Sequence, residues 1–283
     1  MITAMPRIAI ALHDFPKCLA TFRDVLGMPV VDLSESSVAS LGAKVAMCVP
    51  KGGSNIELMS PADPNAPLSH SLQKFLARRG EGLFALMLEA PDPDTEADAL
   101  AGRGLNVLPL MAGAGGRDVH PNSTHGVLIR VYPVNSFRGH ATAHGQDTDS
   151  PGLSGIARVI VAVHDLDHAV AVYGNKFALD IAEPTVDAKR GVRSTVCTPP
   201  SGGVIELVSV YNRNQPFAES VAEFLDSSRE GMYALVLQSR DLQGSARNLA
   251  ARGVEVHNVA DSPDILEIER ALTFGARIWV ESA

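Results

Sequence analysis

An arginine and a glutamate recur at matching places in the two halves of this chain, and their types suit anion binding and proton transfer. Arg7 opens RIAIALHD (Arg7 to Asp14), and 151 positions later Arg158 opens RVIVAVHD (Arg158 to Asp165). Glu57 lies in IELMS and Glu206 in IELVS, 149 positions apart. A guanidinium in a partly dry pocket binds a carboxylate or phosphate through two parallel hydrogen bonds, and it stabilises charge developing on an enolate. A glutamate beside a carbon next to a carbonyl serves as general base. The competing reading is a charge network without chemistry, since structural ion pairs also occupy clefts.

Other reactive residue types read as structural. His13-Asp14 and His164-Asp165 are repeat equivalents that mark strand exit and a helix N-cap rather than a catalytic dyad. Cys48 and Cys197 are also equivalents, inside apolar runs, and read as small buried hydrophobes. His140 and His144 have a spacing that binds a metal only on a helix, and Gly139 and Gly145 argue against that helix.

The elements that position these residues come from a duplication. GAKVAMCVP (Gly42 to Pro50) returns as GVRSTVCTP (Gly191 to Pro199), and EGLFALMLEAPD (from Glu81) returns as EGMYALVLQSRD (from Glu230). A near-constant offset through several segments is the signature of a repeated domain. Domains are therefore expected at residues 1–134 and 155–283, with 135–154 as a linker, because Asn135 to Ser154 is polar, rich in small residues and without period. Within the first half, strands are expected at Arg7–Leu12, around Val30, Val45 and Ile56, at Leu83–Glu89, near Val107 and at Val127–Tyr132. Helices are expected at Phe15–Leu26, Ser69–Arg79 and Asp94–Gly102. One strand, one helix and about three strands thus occur twice per half. Two such βαβββ units side by side make a curved sheet with helices outside and a concave inner face. Alternation places Arg7, Ala9 and Ala11 on one face, as it does Asn55, Glu57 and Met59, then Ala85, Met87 and Glu89, and Leu128, Arg130 and Tyr132.

Composition bounds the partners. A net charge of −8 over 283 residues argues against a broad nucleic-acid or anionic-membrane surface. Three cysteines are too few, and odd in number, for a disulfide framework, which points to a reducing cytoplasm. No charged-then-apolar leader and no apolar stretch of spanning length is present, so an exported or membrane-embedded protein is not expected.

The stretches RIAIALHDFPKCLATFRDVLGMPV, NIELMSPADPNAPLSHSLQKFLARRGEGLFALMLEA and GAGGRDVHPNSTHGVLIRVYP resemble the vicinal oxygen chelate superfamily, the glyoxalase and bleomycin-resistance group. The first half is most similar to methylmalonyl-CoA epimerases. The resemblance implies an α+β fold of four βαβββ modules forming two tandem glyoxalase-like domains. It also implies metal ligands on four strands: a His, a Glu or Gln, a second His and a Glu. At those places this chain carries Arg7, Glu57, Ala85 and Arg130, and in the second half Arg158, Glu206, Ala234 and Trp279. An arginine offers no lone pair and repels a cation, so neither cup is expected to bind the family's metal, and no cofactor is expected. The two-domain layout also resembles extradiol ring-cleaving dioxygenases, whose two histidines and glutamate Arg158, Ala234 and Trp279 cannot replace.

On this resemblance the first cup gathers Arg7, Glu57 and Arg130, with Glu57 as base and the arginines in the metal's electrostatic role. The implied activity is isomerase or lyase chemistry on a small anionic carbonyl compound or acyl-CoA thioester; the alternative is a non-catalytic sequestration protein of the bleomycin-resistance type. The second cup, with Arg158, Glu206 and Trp279, reads as neutralised and filled, and Tyr233 as packing. HPNSTHG places His120 and His125 in the turn before the last strand, which by resemblance borders the site mouth. Arg117, in the glycine-rich GAGGR, is a further candidate to meet an anionic ligand. One chain with four modules resembles a fused version of the family's two-module dimer, so a monomer or a homodimer is expected.

Overall fold

A computed structural model describes residues 1–35, 41–50, 54–137, 151–228, 230–260 and 262–283. His140 and His144 lie outside the described residues. The first half contains β1 (Ala4–Ala11), α1 (Phe15–Ala20), β2 (Val30–Asp32), β3 (Ala43–Cys48), β4 (Asn55–Pro61), α2 (Pro67–Arg79), β5 (Gly82–Ala90), α3 (Pro93–Gly102), β6 (Arg117–Val119) and β7 (Leu128–Pro133). Its strands form one sheet in the order β2-β3-β4-β1-β5-β7-β6. β1 runs parallel to β4 and antiparallel to β5, and that antiparallel pair joins the two modules.

The second half repeats the plan with β8 (Leu153–Ala162), α4 (Leu166–Val170), β9 (Asp180–Ile181), β10 (Thr185–Asp187), β11 (Val192–Thr198), β12 (Ile205–Val210), α5 (Pro216–Ser228), β13 (Gly231–Ser239), α6 (Leu242–Ala251), β14 (Val256–Val259), β15 (Ser262–Ile268) and β16 (Ile278–Ser282). Its main path is β10-β11-β12-β8-β13-β16-β15-β14, with β9 paired to β11. The chain is thus an α+β protein of two tandem sheets. No helix among the described residues is long and apolar enough to cross a membrane.

Alternation along the strands sorts the core into layers. Ile8 and Ile10 point into a large apolar cluster that also holds Phe22, Leu86 and Ile129 and continues into the second half through Tyr173, Phe177 and Leu235. Ala9 and Ala11, one residue out of phase, face the concave side. Asp14 caps α1 by accepting from the Lys17 amide at 3.0 Å, and Asp165 caps α4 by accepting from the His168 amide at 2.9 Å.

Three features differ from the expectation. The helix after β1 is α-helical only to Ala20 and continues as a π-helical turn over Thr21–Val25; the equivalent turn follows α4 at Ala171–Lys176. Repetition in both halves marks these wider turns as part of the fold, where they seat Phe22 and Tyr173 in the shared core. The strand expected near Val107 shrinks to a single bridge with Val119, and the pairing passes to β6. The linking helix does not lie outside the sheet. Leu68, Leu72 and Leu76 of α2 pack on Ala9, Val45, Met59 and Ala85 of the concave face, and α5 fills the second cup with Phe217, Ala218, Val221 and Leu225.

The halves meet through matched turns. A Cβ at Gly126 (φ 75°) would lie 2.0 Å from the Glu230 carbonyl oxygen, and one at Gly275 (φ 73°) 2.3 Å from that of Glu81. Each half therefore presses the turn before its last strand against the Glu-Gly that opens a strand of the other. The Glu81 carboxylate accepts from the His13 amide at 2.7 Å, and Glu230 from the His164 amide at 2.8 Å, repeating the arrangement.

This contact predicts the response to a single methyl group. Gly253 also has positive φ (76°) but nothing within 4 Å of its added Cβ, so Gly253→Ala carries only the backbone cost of about 1–2 kcal/mol. Gly126→Ala adds a collision with backbone and should lose at least twice as much stability in urea titration. Equal losses would contradict the close approach.

Candidate functional site

A row of side chains crosses the first sheet in direct register. Arg7 pairs with Met87, Met87 with Arg130, and Arg130 with Asp118. All four are buried, as is Glu57, two residues along β4 from Asn55, the residue opposite Arg7. The strands therefore bring Arg7, Glu57 and Arg130 to one end of the cup, while α2 covers the other end.

Their charges are not equally committed. Arg130 donates from Nε and Nη2 to the two oxygens of Asp118, at 2.5 and 2.6 Å. Burial opposes the Arg130 charge, but the Asp118 carboxylate and the Tyr132 oxygen hold the guanidinium above its usual range. Arg7 stacks over the Tyr132 ring at 4.3 Å, donates to Ser136 Oγ, and lies 3.8 Å from Glu57 Oε2. That distance is an ion pair without a hydrogen bond. Glu57 Oε2 is buried and has no hydrogen-bond partner among the described residues. Tyr132 accepts from Arg130 Nη1 at 3.4 Å. Burial and the Glu57 charge push its phenol up, so Tyr132 remains a protonated donor.

The sequence reading left two arginines facing one carboxylate with positive charge to spare. Asp118 removes that surplus. It was missed because it sits on a three-residue strand behind a glycine-rich loop, where alternation is too short to read. Tyr132 was placed on the correct face but not recognised as part of the cluster.

The second cup holds the same row with different chemistry. Arg158 pairs across strands with Val236, Val236 with Trp279, and Trp279 with Glu267. Arg158 Nε donates to Glu206 at 2.8 Å, Arg158 Nη1 to Glu281 at 2.6 Å, and Arg190 Nη1 to Glu206 at 2.9 Å. Both Glu206 oxygens are engaged, in contrast with Glu57. Trp279 is buried among Phe217 and Tyr233, and its Nε1 has no partner among the described residues. Tyr233 donates to Ser220 Oγ at 3.0 Å.

The remaining candidates lie elsewhere. His125 is buried where the halves meet, its Nδ1 2.9 Å from Glu230 and its Nε2 3.0 Å from His168 Nδ1. Burial raises the Glu230 carboxyl, but the His125 contact and the His164 amide outweigh it and hold it below its usual value. His120 accepts the Asn122 amide at 3.1 Å and shapes its own turn. Arg117 turns away from the row to Asp94 of α3, at 2.7 Å. Cys18, Cys48 and Cys197 are buried free thiols, and burial pushes Cys197 up to about 12.

A family model described as the Glyoxalase/Bleomycin resistance protein/Dioxygenase superfamily matches residues 7–120. The match spans most of the first half of the chain. The whole chain is similar in fold to a triple mutant of 4-hydroxymandelate synthase from Streptomyces coelicolor, with TM-score 0.71 and 12% identity over 100% of this chain and 93% of that one. It is also similar to a xylose isomerase-like TIM barrel/4-hydroxyphenylpyruvate dioxygenase fusion protein, with TM-score 0.67 and 14% identity over 100% of this chain and 49% of that one. Methylmalonyl-CoA epimerase from Mycobacterium tuberculosis aligns over 46% of this chain and 89% of its own at 21% identity, and its TM-score of 0.40 carries no argument. No curated protein matches the sequence. The TM-scores of 0.71 and 0.67 establish a shared fold with the first two.

The residues at the superfamily's ligand positions do not fit a divalent ion. Arg7 and Arg130 lie where two donors would converge, Ala85 offers none, and Glu57 alone can ligate. Among the described residues no three His, Cys, Asp or Glu side chains converge in a way that could hold one.

The Arg130–Asp118 pair makes a testable demand. Asp118→Asn leaves a buried guanidinium without its counter-charge and should cost about 3–5 kcal/mol in urea unfolding. The double change Arg130→Met with Asp118→Leu should recover most of that loss. A double variant as unstable as Asp118→Asn would contradict a role confined to charge compensation.

Proposed function

We propose that the first half is a metal-independent isomerase or lyase that moves a proton next to a carbonyl of a small anionic compound or acyl-CoA thioester. The observation that carries this reading is the buried Glu57 oxygen without a hydrogen-bond partner, beside a guanidinium held by stacking rather than by a full salt bridge. An oxygen that no donor engages is open to accept a proton from carbon. Glu57 takes the proton from carbon, the electron pair moves onto the carbonyl oxygen, and Arg7 stabilises that oxygen as its charge grows. Tyr132 supplies a neutral donor to the same oxygen. Arg130, engaged by Asp118, positions Tyr132. Return of the proton to the other face epimerises the carbon, and loss of a β-substituent from the same enolate gives a lyase; in a decarboxylation the C–CO2 bond pair, instead of the C–H pair, forms that enolate, which then takes up a proton.

The electrons stay within the substrate throughout, so no redox cofactor enters the scheme. Residues 1–134, with Ser136 beyond them, carry the site, and 155–283, whose first strand begins at Leu153, are its packed duplicate. The buried free thiols fit a cytoplasmic setting.

A second reading, sequestration of a ligand without turnover, is favoured by α2, whose leucines occupy the apolar end of the cup. The two separate by experiment. In D2O the wild-type chain should exchange the C3 protons of 2-oxobutyrate, or the α-protons of a short acyl-CoA, as followed by proton NMR. Glu57→Gln should slow that exchange on the order of 10²–10⁴-fold while keeping the fold. Unimpaired exchange in the variant would reject Glu57 as the base. Saturable binding with no exchange or product in the wild type would favour sequestration.

A further inference from the structure

Between the two halves lies a cavity of about 340 Å³, outside the Arg7–Glu57–Arg130 cluster. It opens where the ends of α2 and α5 approach each other, and both halves contribute walls. Phe75 and Leu83 come from the first half, and Phe224, Met232 and Tyr233 from the second. The volume lies at the small end of the range of roughly 300–1,000 Å³ typical of ligand sites.

Arg277 forms one wall and is only 8% exposed. Its guanidinium lies 3.9 Å over the Tyr233 ring, and its Nη1 donates to Ser220 Oγ at 3.3 Å. The nearest carboxylate, Glu267, is 3.7 Å from Nε and already accepts from Arg270 at 3.0 Å. A guanidinium carries five donors, so this buried one keeps hydrogen-bonding capacity that no described side chain takes up. Every other charged group at the cavity is placed differently. Arg79 is exposed and donates to the Glu230 carbonyl oxygen at 3.0 Å, Arg270 is exposed and paired, and Glu81 accepts the His13 amide at 2.7 Å. Glu223 is exposed at the rim, where its charge favours the Arg277 cation without a hydrogen bond to it.

We propose that this cavity is a binding site for a small monocarboxylate with an aromatic or short aliphatic body. The carboxylate meets the open edge of Arg277, where two parallel hydrogen bonds match the fork of the guanidinium. The apolar body packs against Phe75, Phe224 and Tyr233. Burial pulls the Arg277 guanidinium down to about 10, so it remains cationic at neutral pH. The site is independent of the chemistry assigned to the first cup, and only the folded two-domain chain contains it.

The chain supplies its own reporter. Trp279 is the single tryptophan, and its ring lies 5.8 Å from that of Tyr233. Benzoate is the probe. Titration into the full chain should change Trp279 fluorescence saturably, with matching heat in calorimetry. Benzamide, of the same shape without the charge, should bind at least about tenfold more weakly, a comparison that needs no variant. Arg277→Gln should weaken benzoate by about tenfold or more, and Leu83→Phe, which narrows the opposite wall, should weaken it with Arg277 intact. Four results would overturn the assignment: no saturable binding, equal affinity for benzamide, unchanged affinity in Arg277→Gln, or a loss caused by Glu57→Gln instead, which would put benzoate in the first cup.

Discussion

A charge removed from water must be met inside the protein, and that requirement governs the concave face of each half. In the first cup Asp118 meets Arg130 with both oxygens, leaving Arg7 to stack on Tyr132 and Glu57 with an unpartnered oxygen. The reactive character assigned to Glu57 follows from this division.

The second half shows what a small change in the same row does. Trp279 replaces the second arginine, and the acidic partner at the equivalent of Asp118, Glu267, then faces Arg270 and Arg277. Arg190, in turn, joins Arg158 in engaging both oxygens of Glu206. The cup fills with aromatic rings, while Arg277 is left at the boundary between the halves beside an open cavity. One duplication has produced a polar cup with a spare carboxylate oxygen on one side and a spare guanidinium edge on the other.

The duplication and the strand faces were legible because they rest on a repeat inside one chain and on period-two alternation, and the gathering of Arg7, Glu57 and Arg130 because the resemblance set them at the superfamily's ligand positions. Asp118 was not, since three residues of strand give alternation nothing to build on. The seat of α2 in the cup was hidden because an amphipathic helix shows which of its faces is apolar, not which side of a sheet receives it. His125, read near the site mouth, instead joins Glu230 and His168 across the boundary between halves, a contact spanning 105 positions that no local pattern announces. The cavity at Arg277 arises from packing two halves together and has no signature in either.

Arg7 and Arg130, with their counter-charges, occupy the end of the first cup where the resemblance would put metal donors. Metal content tests that occupancy directly: the purified chain, incubated in turn with zinc, manganese, cobalt and ferrous iron and then dialysed, is assayed by mass spectrometry of the elements. The account predicts far less than one ion per chain for each metal. One equivalent retained by the wild type and lost in Glu57→Ala would contradict it.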